Sequence, residues 1–588
     1  MNVLIFLLIP IVLFYLASRY YARYIAKNLG EDPARPTPAT VINDGRDYVP
    51  TKRYVVFAHH FSAIAGAGPI IGPTMAVLYG FMPAWLWVVV GGILLGAVHD
   101  FTTLFISMRE KGKSIAEVAR QTLGRTGFNL MIVFTILMLL LVCSSFLSAT
   151  AISLTSLWPL SKLGVTGTDT ILKTVETNGV VYGKIGGIAS MSVIIITLMA
   201  PLLGWLIFRK GINTLLAYII ASIVCIGSIV FGIITPVMIQ PFIWMIIISI
   251  YVLFASGTPV WVILQPRDFI NVQILYGGVI LLVVSIVSVG FSGAVVTMPS
   301  LNLEEGVKSL GYIWPMMFIT IACGAISGFH SLVGGGTTCK QISNETDARK
   351  ISFNSMLLES LLAVCVLVAL GVGLKFADYK MIVWPSDPAL KSNPILGFSL
   401  AAGRLFNMGL GIPVSLGTVF GILLVEGFVV TTLDAAVRLN RYLFEELWAI
   451  LFKNPKKFLL NPWFNSLLTV VLMFILAYSN AFSVLWPIFG TANQLLAALA
   501  LITVSSWLVI RGKKYFFALL PALFMLATTI TALVVLFKTY LNTSNYILMM
   551  VDVLLLLLSA GVVVLAIKTF SKKGKKGEIQ PDLAGAVK

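Results

Sequence analysis

Long apolar stretches, separated by short polar connections, run along almost the whole chain. Each stretch holds about 20 residues, which is the length that a helix needs to cross the hydrocarbon core of a bilayer. The apolar residues are continuous and lack the two-residue alternation of a membrane barrel strand. The pattern therefore predicts an all-α, polytopic membrane protein with about fifteen spans, over residues 2–18, 54–80, 84–108, 128–157, 187–208, 212–234, 241–264, 271–290, 312–339, 351–373, 412–433, 463–479, 482–510, 515–537 and 546–568.

Composition and charge agree with a membrane protein. The chain is 58% hydrophobic and 11% charged, against about 25% charged in soluble domains, which excludes an ordinary soluble enzyme. Of 41 Lys and Arg residues, 32 fall in one set of connections and 9 in the other. The first set is cytoplasmic by the positive-inside rule, so we expect the N-terminus outside and the C-terminus in the cytoplasm. The formal charge of +17 thus indicates orientation and a basic membrane-facing tail, not a nucleic-acid partner.

The first stretch predicts a retained helix. A cleavable signal peptide carries its positive charges before the apolar core. Here Arg19, Arg23 and Lys27 follow the core, and no Lys or Arg precedes it.

The second stretch is interrupted near its middle by Ala65, Gly66, Ala67, Gly68 and Pro69. Proline removes a hydrogen-bond donor and clashes with the preceding turn, so the helix cannot continue unbroken. Freed backbone groups are tolerated at this depth only inside protein or beside a watery cavity. Pro69 suits the first turn of a restarted half-helix, whose N–H groups and positive dipole end would face an anion. A kink that only lets helices pack closely is the alternative.

A second interruption is predicted in the seventh stretch, at Ser256, Gly257, Thr258 and Pro259. It lies five spans after the first. Because five is odd, the two interrupted helices cross the membrane in opposite directions. Paired interruptions of this kind are typical of secondary transporters built from inverted repeats.

All four histidines lie in apolar stretches. An ionisable group at that depth is costly unless it is paired or hydrated, so its presence indicates a function. Histidine also titrates near neutral pH. We expect a proton relay or substrate clamp, with hydrogen bonding between helices as the alternative. The candidate proton-coupling residues are His59, His60, His99 and Asp100, with His330, Glu359 and Glu426 as further buried ionisable groups.

The ninth stretch ends in three glycines followed by Thr337 and Thr338. Hydroxyls and freed carbonyls at this point could form a cation site, but a gate or a plain helix end would have the same sequence. The five cysteines show no metal-site spacing and are expected to be buried small hydrophobes, so no metal site is expected.

Several longer motifs follow in order from about residue 50 to beyond 500, and their length makes them specific. They are the segments 59–69, 259–261 with 266–268, 328–332 with 337–338 and 340–341, and 490–496. Together they resemble the carbon starvation protein A family, whose members are associated with peptide uptake and whose close relatives carry pyruvate with protons.

The resemblance implies a fold related to the leucine-transporter superfamily, with a 5+5 inverted-repeat core and extra helices at both ends. The implied organisation is an N-terminal helix and cytoplasmic loop, two repeats, C-terminal accessory helices and a basic tail, over residues 1–53, 54–234, 241–433, 434–568 and 569–588.

The resemblance also places the site. Segments 65–69 and 256–259 would flank the substrate, together with His330. Ala63, Thr337 and Thr338 would form an ion site if sodium were used, but histidine chemistry favours protons as the coupling ion. No cofactor is expected. The implied function is a secondary active importer of small peptides, with a proton-coupled pyruvate or small-carboxylate symporter as the alternative, in the cell's inner membrane.

Three other classes fit less well. A channel needs a continuous polar lining, and only isolated polar points are present. A nutrient sensor needs a soluble output domain, and the longest connections are too short for a core of their own. An intramembrane enzyme would need a catalytic signature such as H-E-x-x-H or G-x-S-x-G, and neither occurs in the sequence. Lipid is the expected partner besides the substrate, and a monomer is expected because one chain contains both repeats.

Overall fold

The computed structural model describes residues 2–44, 48–163, 172–259, 262–387 and 390–573. Val260 and Trp261, which belong to one of the family motifs, and the tail beyond residue 573 lie outside the described residues.

Helices make up nearly all of the described chain. The N-terminal half contains α1 (Val3–Leu29), α2 (Arg53–Ile64), α3 (Gly68–Tyr79), α4 (Phe81–Arg109), α5 (Ile115–Ser153), α6 (Ile185–Phe208), α7 (Thr214–Ile234), α8 (Pro241–Gly257) and α9 (Leu264–Phe291). A five-residue helix, Pro38–Ile42, lies between α1 and α2.

The C-terminal half continues with α10 (Leu303–Leu310), α11 (Ile313–Thr320), α12 (Phe329–Gly336), α13 (Glu345–Gly373), α14 (Phe376–Val383), α15 (Pro394–Leu410), α16 (Val414–Leu451), α17 (Pro462–Ser479), α18 (Phe482–Ile510), α19 (Phe516–Asn542) and α20 (Tyr546–Lys573). The most deeply buried are α5, α13 and α18, whereas α6, α7 and α20 are peripheral.

Twelve described helices are long and apolar enough to cross a membrane, and the bent pair α2 and α3 brings the number to 13. The chain is therefore a multi-pass helical membrane protein. The expected count of about fifteen is not reached by this criterion. The two remaining stretches differ from plain spans, because 241–264 contains a helix of only 17 residues and 312–339 is divided into two helices of eight residues each.

A small antiparallel sheet departs from the all-α expectation. Its strands are β1 (Trp158–Pro159), β2 (Thr174–Thr177) and β3 (Val180–Gly183), in the order β1-β3-β2. Asn178 and Gly179 join β2 to β3 with φ of 52° and 73°. Two consecutive positive φ values are what a two-residue hairpin turn requires, and Asn-Gly adopts them most readily. Hydropathy alone misses this hairpin because it lies in a polar connection.

The first predicted interruption is present. The helices α2 and α3 are bent by 43° across residues 65–67. Ala67 precedes the restarted helix, and Pro69 occupies its first turn, where a missing N–H costs nothing.

The second predicted interruption, inside the seventh span, is wrong. The helix α8 is continuous to Gly257, Thr258 is extended (φ −89°, ψ 161°), and α9 begins only at Leu264. The residue before a proline is disfavoured in helical conformation, so Pro259 ends α8 and starts a connection. The structure places the second interruption elsewhere, at residues 321–328 between α11 and α12.

Candidate functional site

The two interruptions lie against each other in the protein interior. A Cβ atom added at Gly68 would overlap the side chain of Cys323, and one added at Gly324 would lie 3.7 Å from Cα of Pro69. The start of α3 thus approaches the 321–328 segment as closely as backbone allows, and Gly68 is required by that approach. Unpaired backbone at membrane depth is thereby enclosed by protein, as its polar groups demand.

Two consecutive residues of α18 satisfy the ends of the second interruption. Asn493 Oδ1 accepts from the backbone N–H of Phe329 (3.0 Å), the first residue of α12. Gln494 Nε2 donates to the carbonyls of Phe318 (2.6 Å) and Ile321 (3.2 Å), at the end of α11. The free N–H and C=O groups of the two half-helices therefore have side-chain partners. Neither residue is among those predicted from the sequence to have a role, although the motif 490–496 contains both.

A buried chain of ionisable side chains lies next to the interruptions. Asp100 Oδ1 lies 2.8 Å from Nδ1 of His99, and Asp100 Oδ2 lies 2.8 Å from Nδ1 of His330. All three side chains are at most 2% exposed. The carboxylate of α4 thus joins two imidazoles, one of them on the half-helix α12.

Glu359 of α13 completes this chain. Its Oε2 atom lies 3.2 Å from Nε2 of His330, and its side chain is fully buried. The His330 imidazole is therefore hydrogen-bonded to Asp100 at Nδ1 and lies close to Glu359 at Nε2, where the two groups are not aligned for a hydrogen bond. A neutral imidazole has a single N–H, so it can donate to one of these carboxylates only. If His330 is neutral and both carboxyl groups are ionised, one ring nitrogen turns its lone pair towards a carboxylate. The cluster is therefore suited to hold one further proton, on His330 or on a carboxyl group.

The two adjacent histidines of α2 differ in environment. His60 is 1% exposed, and its Nδ1 atom lies 2.9 Å from the hydroxyl of Thr338. His59 is exposed and has no place in the buried chain, which corrects its assignment as an equal candidate. Consecutive helix positions point about 100° apart, so one of the pair faces inward and the other outward.

The residues suggested for an ion site make the following contacts. Thr337 donates to the carbonyl of Val333 (3.0 Å), Thr338 pairs with His60, and Ala63 is half-buried. Thr338 instead ties α12 to α2, and backbone bonds from Val49 and Thr51 to the 340–341 segment support the same contact.

Segment 256–259 is held by hydrogen bonds from α16. Arg438 of α16 donates to the carbonyls of Ala255 (2.6 Å) and Thr258 (2.7 Å), and Arg441 donates to that of Ser256 (3.0 Å). The arginines thus cap the C-terminus of α8, where a cation is favourable. This segment therefore anchors α8 to α16.

A large open cavity of about 1190 Å³ lies at the end of the protein where α5 finishes. Its wall includes Ser148 of α5, Met316 of α11 and Pro487 of α18, and its rim carries Glu305 and Lys380. The Lys380 ammonium, 2.7 Å away, lowers the pKa of the Glu305 carboxyl by hydrogen bonding and charge. The rim therefore keeps an ionised pair at neutral pH.

Buried polar contacts join several segments at the opposite end of the protein. Glu345 at the start of α13 accepts from Arg109 Nε (2.7 Å) at the end of α4, and from the backbone N–H of Asp32 (2.8 Å). Arg109 also donates to the carbonyl of Gly30 (2.6 Å). Glu345 is 2% exposed, so the segment after α1 covers this end through buried polar contacts.

Among the residues that the structure describes, no group of three or more His, Cys, Asp or Glu side chains is arranged to hold a metal ion. The described site thus offers proton-carrying side chains and two helix interruptions.

Comparison with known proteins gives a family match along most of the chain. The family model of the carbon starvation protein CstA matches residues 2–388 and 374–532. A peptide transporter CstA of Campylobacter jejuni is 30% identical over 581 residues, which cover 90% of this chain and 79% of the relative. The pyruvate/proton symporter BtsT of Escherichia coli is 30% identical over 588 residues, which cover 88% of this chain and 79% of the relative.

Solved structures are more distant. A mutant of the Eremococcus coleocola manganese transporter is 12% identical, with a TM-score of 0.47, over 90% of this chain and 99% of that one. Similarity this low does not indicate which residues form the site.

Proposed function

The chain belongs to the carbon starvation protein CstA family, and on that premise we propose that it is a secondary active transporter. It imports small peptides across the cell's inner membrane by alternating access, with protons as the coupling ion. The twelve apolar helices and the names of the relatives support transport. The N-terminus lies outside and the C-terminus in the cytoplasm, as the distribution of basic residues indicates.

The observation that carries the proposal is the position of His330 between Asp100 and Glu359. The three groups come from α12, α4 and α13, so the proton that the cluster holds depends on how these helices are packed. His330 belongs to a half-helix of eight residues. When α12 shifts, its distance to both carboxylates changes, and the proton can be released on the other side of the membrane.

The substrate binds at the two interruptions, residues 65–69 and 321–328, which are in contact in the described conformation and separate to form a gap when α12 shifts. The N-terminus of α3 begins at Gly68 and points its positive dipole end into the gap. A peptide carboxylate is the matching group. The open cavity of about 1190 Å³ at the end of α5 has room to admit a small peptide from that side.

The inverted repeat is best drawn with new boundaries for its second half. The pair α2–α3 is followed by α4 and by the 39-residue helix α5. The pair α11–α12 is followed by α13, by the shorter helices α14 and α15, and by the 38-residue helix α16. The two long helices pack against each other. The similar order of helices supports a first repeat over 54–234 and a second over about 313–510, with α8 and α9 inserted between them. These boundaries replace a second repeat over 241–433.

The described conformation fits an outward-facing state. The cavity lies at the end of α5, where the expected extracellular loops meet, and the Arg109–Glu345 contacts close the cytoplasmic end. One chain contains both repeats, so a monomer is the proposed transport unit.

A second candidate is a pyruvate/proton symporter, which the name of the Escherichia coli relative favours. The same carboxylate position and the same proton site would serve pyruvate.

Proteoliposome uptake decides between the candidates. Purified protein is reconstituted, a pH gradient (acid outside) is imposed, and labelled dialanine and labelled pyruvate are each tested with unlabelled pyruvate, amino acids, dipeptides and tripeptides as competitors. We expect dialanine to accumulate above equilibrium and dipeptides to compete, with collapse of accumulation by a protonophore. Accumulation of pyruvate alone would support the second candidate. No accumulation of any tested compound under the gradient would contradict the proposed function.

A further inference from the structure

The carboxyl group of Glu359 in α13 is fully buried, and neither of its oxygens has a hydrogen-bond partner among the residues that the structure describes. The imidazole of His330 lies 3.2 Å away but is not aligned for a hydrogen bond. Two unsatisfied oxygens at a buried position are costly, which indicates a partner that reaches them in another conformation. Glu359 can therefore accept a donor that the described conformation does not supply.

The helix α13 brings this carboxyl group next to both helix interruptions. It packs against α2 and α3, the two halves of the first interrupted helix. A Cβ atom added at Gly324, in the second interruption, would lie 2.8 Å from Cβ of Ala363 in α13 and 3.7 Å from Cα of Pro69. Residues four apart lie on the same face of a helix, so Glu359 is one turn from the point where α13 meets both interruptions. The carboxyl group is therefore beside the proposed substrate position.

The described protein groups balance only part of the charge of this cluster. Asp100 and Glu359 provide two carboxyl groups, whose ion-pair partners in the described part of the chain are His99 and His330. A neutral His99 donates its single N–H to Asp100 without adding charge. One proton on His330 compensates one carboxylate, so the second carboxylate needs another positive charge when it is ionised. The ammonium group of a peptide supplies such a charge, and pyruvate has no such group.

We propose that Glu359 binds the α-ammonium group of the transported peptide and selects substrates that carry this group. The proposal rests on the proposed transport function and defines its substrate class, which has a free ammonium group at one end and a carboxylate at the other. The carboxylate binds at the N-terminus of α3, and the ammonium group reaches Glu359 when the two interruptions separate. One proton on His330 and one substrate ammonium group then neutralise the two carboxylates, so that the proton and the peptide are carried together.

Competition during substrate exchange tests this selectivity. Full-length protein in proteoliposomes exchanges internal for external labelled dialanine at equal pH on both sides, which removes the proton gradient from the measurement. Unlabelled dialanine is compared with lactoyl-alanine, an analogue of similar size in which a hydroxyl group replaces the ammonium group. We expect half-inhibition by lactoyl-alanine to need a concentration at least about thirtyfold higher, because the analogue leaves a buried carboxylate without its ionic partner.

The variant Glu359→Gln keeps the size of the side chain and removes its charge. We expect the concentrations of the two compounds for half-inhibition to converge to within about threefold, mainly through weaker binding of dialanine. Asp552→Asn, which neutralises another buried carboxyl group on the peripheral helix α20, is the control and should keep the wild-type ratio. A wild-type ratio in Glu359→Gln, or equal inhibition by the two compounds in the wild type, overturns the proposal.

A second variant covers the case in which Glu359→Gln does not fold or does not exchange dialanine. Glu359→Asp keeps the charge but shortens the side chain by one methylene group. We expect the concentration of dialanine for half-inhibition to rise at least about threefold, with that of lactoyl-alanine unchanged. An unaltered value for dialanine in Glu359→Asp also overturns the proposal.

The wild-type protein separates failure of this proposal from failure of the proposed function. Exchange of labelled pyruvate without exchange of labelled dialanine overturns the selectivity for an ammonium group and supports the second candidate function. Exchange of neither compound contradicts the proposed function itself.

Discussion

The Nδ1 atom of His330 lies 2.8 Å from Oδ2 of Asp100, although the two residues are 230 positions apart in the chain. Neither side chain is more than 2% exposed. The pair links α4 to α12, one half of an interrupted helix. A change in the protonation of either residue therefore alters a contact next to the proposed substrate position.

Asp100→Asn should separate proton coupling from substrate exchange. Asparagine keeps the size of the side chain but carries no negative charge to stabilise a protonated His330. We expect accumulation driven by a pH gradient to fall by at least about tenfold, equivalent to about 1.4 kcal/mol of coupling free energy. Exchange of internal for external substrate at equal pH should persist. Both are measured in proteoliposomes, and a variant with undiminished gradient-driven accumulation would show that Asp100 is not part of the proton path.

The adjacent histidines provide an internally matched comparison. His60 is buried and bonded to Thr338, whereas His59 is exposed. We expect His60→Ala to reduce the initial uptake rate several-fold, because it removes the side-chain link between α2 and the end of α12. His59→Ala should leave the rate within the error of the wild type. Equal losses in the two variants would contradict the assigned environments.

Asn493→Ala should destabilise the second interruption. The substitution leaves the N–H of Phe329 and the hydroxyl of Ser327 without the Asn493 oxygen. A buried polar group that loses its partner costs about 1–3 kcal/mol. We expect a lower midpoint of thermal unfolding in detergent and a lower uptake rate. Thr491→Val is the control, since the Thr491 hydroxyl bonds only within its own helix, to the carbonyl of Pro487.

Gly68→Ala should impair transport through a steric conflict. The added methyl group would overlap the side chain of Cys323 and push the two interruptions apart. Overpacking of a tight interior contact costs about 1–3 kcal/mol. Gly227→Ala in α7 is the matched control, because its added methyl group meets no other atom within 4 Å. We expect loss of most uptake in the first variant and none in the second, at equal amounts of protein in the membrane. Full activity of Gly68→Ala would contradict the close approach.

The pH profile of uptake should not depend on the ionised pair at the cavity rim. The Lys380 ammonium keeps the pKa of Glu305 below the usual glutamate value. The carboxylate therefore stays charged above that value, and the pair is lost only as the pH falls through the lowered pKa. We expect the initial uptake rates of Glu305→Gln and of the wild type to change in parallel between pH 5 and pH 8. A displaced profile in Glu305→Gln would place a coupling proton at the rim.

Much of the architecture could be predicted from the sequence because a bilayer imposes strict local rules. Each span must satisfy its own backbone and present about 20 apolar residues, so hydropathy locates the helices one at a time. The helix break at 65–69 is predicted from Gly68 and Pro69, which disfavour an unbroken helix. His60, His99 and Asp100 were identified as candidates because an ionisable side chain among apolar neighbours needs a reason.

The partners of these residues were decided only by the tertiary structure. Gly257 and Pro259 have the same local signature as Gly68 and Pro69, yet one pair ends a helix at a connection and the other divides a span. The true second interruption, at 321–328, is stabilised by Asn493 and Gln494 from a helix about 170 residues further along the chain. Composition and spacing predict the local conformation of each segment. Which helix supplies the missing hydrogen bonds and charges depends on packing, and packing joins His330 to Asp100 and Glu359 while it leaves His59 outside.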